Sequence, residues 1–88
     1  DTDSLTCGIA IIQPGEHFAL HRHAHAEVYF GLDGTGTVMI DGQPHTLSPG
    51  VALFIPSNAE HGVPSVSEPL RWFYTFAADS FAEITYRF

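Results

Sequence analysis

Turn signals interrupt this chain so often that no long element fits between them. Pro14-Gly15, Asp33-Gly34, Asp41-Gly42, Ser48-Pro49-Gly50, Pro56-Ser57-Asn58 and Pro64-Ser65 recur along its 88 residues. Gly and Pro impose special backbone angles, and Asn, Asp and Ser bond to nearby backbone, so such clusters end a helix or a strand. The segments between them are rich in Val, Ile, Phe, Tyr and Thr, which suit a pleated surface. The pattern predicts an all-β chain, a barrel or sandwich with hairpins. Its strands are expected at 5–12, 17–23, 26–32, 36–41, 44–47, 51–55, 60–64, 70–77 and 82–87. Asp41-Gly42 is the clearest hairpin turn, because a type I′ turn needs positive φ at both central positions. One short helical turn fits over 77–83, where no amphipathic period is sustained.

The length fits a single domain spanning 1–88, small enough that a bound metal or a second subunit would add useful stability. Ten acidic residues stand against three arginines (Arg22, Arg71 and Arg87) and no lysine, for a net charge of −7. No basic patch can form, which argues against nucleic acid and anionic membranes as partners. An anionic ligand would need a local anchor such as a metal cation. No run of about 18 apolar residues offers a membrane span. Cys7 is the single cysteine, so no intrachain disulfide forms; it is expected to be a small buried apolar residue, which fits a cytoplasmic location. No signal peptide is visible. The chain opens at Asp1 rather than Met, so a natural N-terminal segment is expected to be missing.

Two of the predicted strands are apolar on both faces. In 26–32, Tyr29 and Gly31 alternate with Val28, Phe30 and Leu32; in 70–77, Leu70, Trp72, Tyr74 and Phe76 alternate with Phe73. A strand with one wet face would alternate with polar residues. Something must cover the second face, either missing N-terminal residues or another copy of the chain, and a homodimer is expected.

The chemistry concentrates in His21-Arg22-His23-Ala24-His25-Ala26-Glu27. Strand residues two apart share a face, so His21 and His23 project together. A bend before residue 27 would return Glu27 to the same cavity. Two imidazoles and a carboxylate form a facial set for one divalent ion: Fe(II) first, with Mn(II), Ni(II) and Zn(II) as alternatives. Any one of these histidines alone would suit a solvated loop. Tyr29, two residues after Glu27, shares its face. A cation nearby would favour its phenolate, a competent base toward a weakly acidic C–H bond, and its other reading is barrel packing.

The spacing of these residues resembles that of the cupin family. Its first motif runs glycine, five residues, His-x-His, three or four residues, Glu, six residues, glycine. Gly15, His21, His23, Glu27 and Gly34 match at every interval. Gly50, Pro56 and His61 match the second motif; Asn58 stands in for its second glycine and Ser65 for its final Asn. Asn tolerates the left-handed backbone nearly as well as glycine. The resemblance implies a small antiparallel double-stranded β-helix, or jelly-roll, barrel and makes His61 the fourth metal ligand. His17, His25 and His45 lie off the motifs, and His25 is the one placed to assist the ligands.

The run 21–32, the stretch Phe54 to Gly62 and the ending Phe76 to Phe88 look most similar to the cupin-type dimethylsulfoniopropionate (DMSP) lyases of marine bacteria. That resemblance implies cleavage of a small zwitterion to dimethyl sulfide and acrylate, with Tyr29 in catalysis. Aromatic faces suit a sulfonium, and Trp72, Phe73, Tyr74 and Tyr86 are candidates, although strand parity alone does not say which face inward. Two other readings share the ligand set: an Fe(II)-dependent oxygenase, and a non-catalytic module that binds a small acid.

Overall fold

The computed structural model describes residues 5–77. Eight strands cover them: β1 (Thr6–Ile12), β2 (Phe18–His21), β3 (Glu27–Asp33), β4 (Gly36–Ile40), β5 (Gln43–Leu47), β6 (Ala52–Ile55), β7 (His61–Val63) and β8 (Leu70–Phe76). They form two four-stranded antiparallel sheets, ordered β1-β8-β3-β6 and β2-β7-β4-β5. The all-β expectation holds, and no helix of the described residues is long and apolar enough to cross a membrane. The expected strand 82–87, and all but Ala77 of the helical turn expected at 77–83, lie outside the described residues.

The core lies between the sheets. Val38, Leu47, Ile55, Val63 and Leu70 are fully buried there, with Trp72 and Tyr29 packed among them. Val38 and Ile40 of β4 alternate inward as a period of two requires. β1 reverses the usual preference. Register places Gly8 opposite Tyr74 and Ala10 opposite Trp72 on the inner face. Ile9 and Ile11, at 58% and 54% exposure, point outward. The outer face of this sheet is therefore apolar: Ile9 pairs with Phe73, Phe73 with Phe30, and Phe30 with Ala52.

Two local conformations position the functional residues. Asp41 and Gly42 have φ of 48° and 78°, the paired positive angles of the type I′ hairpin between β4 and β5. Asp41 also grips the strand that follows in the other direction. Its N–H donates to the Glu60 carbonyl (2.7 Å), and its Oδ1 accepts from the Glu60 N–H (2.9 Å). Asn58 has φ of 63°, the left-handed conformation expected where the motif places a glycine. Its N–H donates to the His23 carbonyl (2.9 Å), while Ser57 Oγ donates to the Ala24 carbonyl (2.6 Å). The loop before β7 thus staples the bend that carries His23.

Candidate metal centre

The expected strand 17–23 is shorter than its sequence suggests. A register shift between Phe18 and His21 breaks the alternation, and β2 ends at His21. His21 pairs across the sheet with His61 on β7, so these two imidazoles are cross-strand neighbours. Residues 24–25 form a bend, and Glu27 opens β3 on the opposite sheet. The site therefore spans the gap between the two sheets. His21, His23, Glu27 and His61 are 2%, 3%, 6% and 1% exposed, four buried polar side chains in one place.

Their distances are short. One nitrogen from each of His21, His23 and His61 falls within 4.8 Å of the others, an arrangement able to hold a metal ion. Ring centroids lie 4.3 Å apart for His21 and His61, and 5.1 Å for His23 and His61. Glu27 Oε1 is 3.3 Å from the Nε2 atoms of both His23 and His61. Glu27 thus meets two of the three imidazoles, and the group able to hold a metal consists of the three histidines.

Hydrogen bonding at the rear of two rings fixes their tautomers. His21 Nδ1 donates to the Ala19 carbonyl (2.7 Å) and His61 Nδ1 to the Ala59 carbonyl (2.9 Å). A carbonyl only accepts, so the proton sits on Nδ1 and the neutral ring presents the Nε2 lone pair, the form that binds metals. Burial holds the His21 imidazole below its ordinary pKa, favouring that neutral state, with the Ala19 bond pulling the other way. His61 Nε2 is buried and has no hydrogen-bond partner among the described residues. A lone pair facing a carboxylate 3.3 Å away is repelled by it; a cation between them would be attracted to both. The donor set fits a divalent metal.

Beside this cluster lies a cavity of about 240 Å³ lined by Ala10, Phe18, His21, His23, Glu27, Tyr29, Trp72 and Tyr74. Tyr29 is 2% exposed and sits on β3 directly opposite Tyr74 of β8. The Tyr29 and Trp72 rings are 5.2 Å apart, and Phe18 meets His21 edge-on at 4.5 Å. No lysine or arginine lines the cavity among the described residues. Among the described residues that line it, Glu27 is the carboxylate.

The structure sorts the aromatic candidates. Trp72 and Tyr74 line the cavity, as their shared parity allows. Phe73 does not: it belongs to the opposite face, paired with Ile9 and Phe30. Tyr86 lies outside the described residues. His25 stands on the bend with its ring 6.4 Å from that of His23, outside the cluster of three, while His17 and His45 are exposed. Ala10 and Phe18 line the cavity without having been expected there. The signal for Ala10 was the alternation Thr6, Gly8, Ala10 against Cys7, Ile9, Ile11, in which the inner face of β1 carries small side chains until Ile12 ends the strand.

A two-sheet antiparallel barrel gathering histidines and a glutamate between its sheets is the construction of a cupin domain. The Cupin domain family matches residues 8–76, and this chain belongs to it. Within that family the chain is similar to dimethylsulfoniopropionate lyase DddW of Ruegeria pomeroyi, at 50% identity over 84 residues, 96% of this chain and 55% of that protein. It is also similar to 5-nitrosalicylic acid 1,2-dioxygenase of a Bradyrhizobium species, at 33% identity over 60 residues, 68% of this chain and 29% of that protein. The crystal structure of DMSP lyase DddQ from Ruegeria pomeroyi superposes with a TM-score of 0.79 at 28% identity, covering 88% of this chain and 40% of that one. The chain thus spans about half the length of these lyases, or less.

Proposed function

We propose that this chain is the catalytic core of a metal-dependent carbon–sulfur lyase that cleaves DMSP to dimethyl sulfide and acrylate. The observation that carries the reading is the cavity itself. It brings a metal-binding cluster and the aromatic rings of Phe18, Tyr29, Trp72 and Tyr74 into one wall, with no Lys or Arg in that wall among the described residues. That combination suits a zwitterion whose carboxylate goes to the cluster and whose sulfonium goes to the rings. The 50% identity to DddW supports the same substrate.

In this reading His21, His23, Glu27 and His61 hold one divalent ion, Fe(II) first and Mn(II), Ni(II) or Zn(II) as alternatives. The bound ion supplies positive charge for the substrate carboxylate, which makes the adjacent C–H more acidic. Tyr29, as phenolate, takes the proton from the carbon next to the carboxylate. The electron pair of that C–H bond forms the carbon–carbon double bond of acrylate. The β-carbon–sulfur bond breaks and its electrons leave on neutral dimethyl sulfide. Trp72 and Tyr74 orient the sulfonium, and the buried site keeps bulk water from the base. Tyr29 returns its proton to solvent between turnovers. Incubating the metal-loaded protein with DMSP should release dimethyl sulfide and acrylate in equal amounts, measured in the headspace and in solution. A metal-replete sample that releases neither rejects the lyase.

The similarity to a salicylate-type dioxygenase favours one other reading, an Fe(II)-dependent oxygenase. Oxygen separates the two: elimination proceeds at an undiminished rate under anaerobic conditions, and an oxygenase stops.

We further propose that a second copy covers the apolar outer face of the β1-β8-β3-β6 sheet, where Ile9, Phe73 and Phe30 form a continuous row. Aligned sheets pack face to face through rows of this kind. Light scattering should give a dimer, and Phe30→Lys should give monomers. A monomer in the unmodified protein rejects the second copy. Cys7 is exposed, not buried as expected, because it falls on the outward parity of β1 with Ile9 and Ile11; the cytoplasmic location is proposed on the lack of a second cysteine in this sequence.

A further inference from the structure

A glycine inside a strand weakens it, because the backbone loses more freedom and no side chain packs. Gly8 sits in the middle of β1 and is not among the positive-φ glycines, so no turn requires it. What requires it is a close approach. A β-carbon at position 8 would stand 2.6 Å from the Tyr74 hydroxyl oxygen, 2.8 Å from Cζ and 3.2 Å from Cε2. The phenol of Tyr74 lies down on bare backbone.

That posture matters because of what surrounds the ring. Tyr74 stands between Gly8 on one side and Tyr29 on the other, in one row across the sheet. Along its own strand it stacks on Phe76, at 6.1 Å and 11°, which blocks movement that way. Trp72 occupies the inward position two residues the other way. Among the described residues, the open direction left to the ring is the cavity beside Tyr29. We infer that Gly8 is a size-selecting residue of this site: by accepting the Tyr74 ring it keeps the cavity wide enough for a branched onium group, and any larger side chain at 8 would drive the ring into the ligand's space. The inference rests on the cavity being the substrate site.

A double-mutant cycle tests it on the metal-loaded protein, with Gly8→Ala, Tyr74→Ala and the pair. Trp72 is the only tryptophan of the chain and lines the cavity, so its fluorescence reports occupancy. The probe is glycine betaine, a carboxylate with a quaternary ammonium and no β carbon, which binds without eliminating. Its triethylammonium analogue is the bulkier probe. Gly8→Ala should weaken betaine binding roughly tenfold or more, as overpacking a filled site does. Tyr74→Ala should admit the triethyl analogue that the unmodified protein excludes. Adding Gly8→Ala to Tyr74→Ala should cost less than about twofold, because the two residues act through one contact. A Gly8→Ala penalty of equal size with and without the ring overturns the inference and makes Gly8 a folding residue. Absence of betaine binding in the unmodified protein overturns it as well. Dimethyl sulfide release, followed on the same samples, keeps the two readings apart. Betaine binding that obeys the cycle in a protein releasing no dimethyl sulfide supports the size-selecting wall and rejects only the lyase.

Discussion

The two ends of the cavity are held in place by different means. At the imidazole end, backbone groups do the positioning. The carbonyls of Ala19 and Ala59 orient two rings, and the Asn58 amide fixes the backbone of His23. At the aromatic end, side chains position one another across strands, with Gly8 and Ala10 making room for Tyr74 and Trp72. Backbone hydrogen bonds are directional and tolerate substitution of the residues that supply them. Ring positions depend on the volume of every neighbour. The metal end should therefore fail through its ligands or the backbone tethers that hold them, and the aromatic end through the volume of its surroundings.

The largest expected effect tests the first half of that contrast. His61→Ala should abolish stoichiometric metal loading, read by elemental analysis. Losing a direct ligand should cost more than the roughly 10- to 100-fold in affinity that follows loss of an outer hydrogen-bond partner. Unchanged metal content would remove His61 from the ligand set. Next in size, Tyr29→Phe should lower kcat by about 10²- to 10⁴-fold, the usual contribution of a general base, with metal content intact. Wild-type turnover in that variant would show that Tyr29 only packs. A smaller effect tests the aromatic end: Trp72→Phe should raise KM roughly two- to tenfold with little change in kcat, as a weakened cation–π contact does. An effect confined to kcat would place Trp72 in the chemistry instead.

The smallest effect is on stability. Burial keeps the folded His21 below 6.5, while the unfolded chain takes up a proton there as an ordinary imidazole does. Below 6.5 the unfolded state therefore binds more protons, and the metal-free protein loses stability as pH falls, until His21 protonates in the folded state too. Thermal unfolding of the metal-free protein should show a lower Tm at pH 5.5 than at pH 7.5; bound metal should raise Tm at both and steepen the dependence, because it keeps the ligand imidazoles unprotonated in the folded state. A flat Tm across this range would break the link between burial and the imidazole end.

The same contrast explains what could be read in advance. His21, His23 and Glu27 sit within seven residues, and local geometry sufficed to bring them together. His61 is far along the chain and came only through the cupin resemblance, because a cross-strand pairing such as His21 with His61 leaves no local trace. Asn58 was legible because a left-handed residue has few substitutes. The aromatic wall was harder. Trp72, Phe73 and Tyr74 are consecutive, and only the register shows that Phe73 turns away. β1 shows why hydrophobicity alone misleads here: it would put Ile9 and Ile11 inside, yet the inner face needs small residues beside large rings. Strand 17–23 fell short because a register shift between Phe18 and His21 and a bend at 24–25, both invisible to parity, interrupt it.

The Asp41–Gly42 hairpin has a consequence for anyone who would remodel this barrel. It looks like a solvent-facing loop into which extra residues could be spliced, yet Asp41 is doubly tethered to Glu60, the residue just ahead of His61. Lengthening that loop would release the tether and let a ligand-bearing strand drift, so peptide tags and grafted epitopes belong elsewhere on the surface.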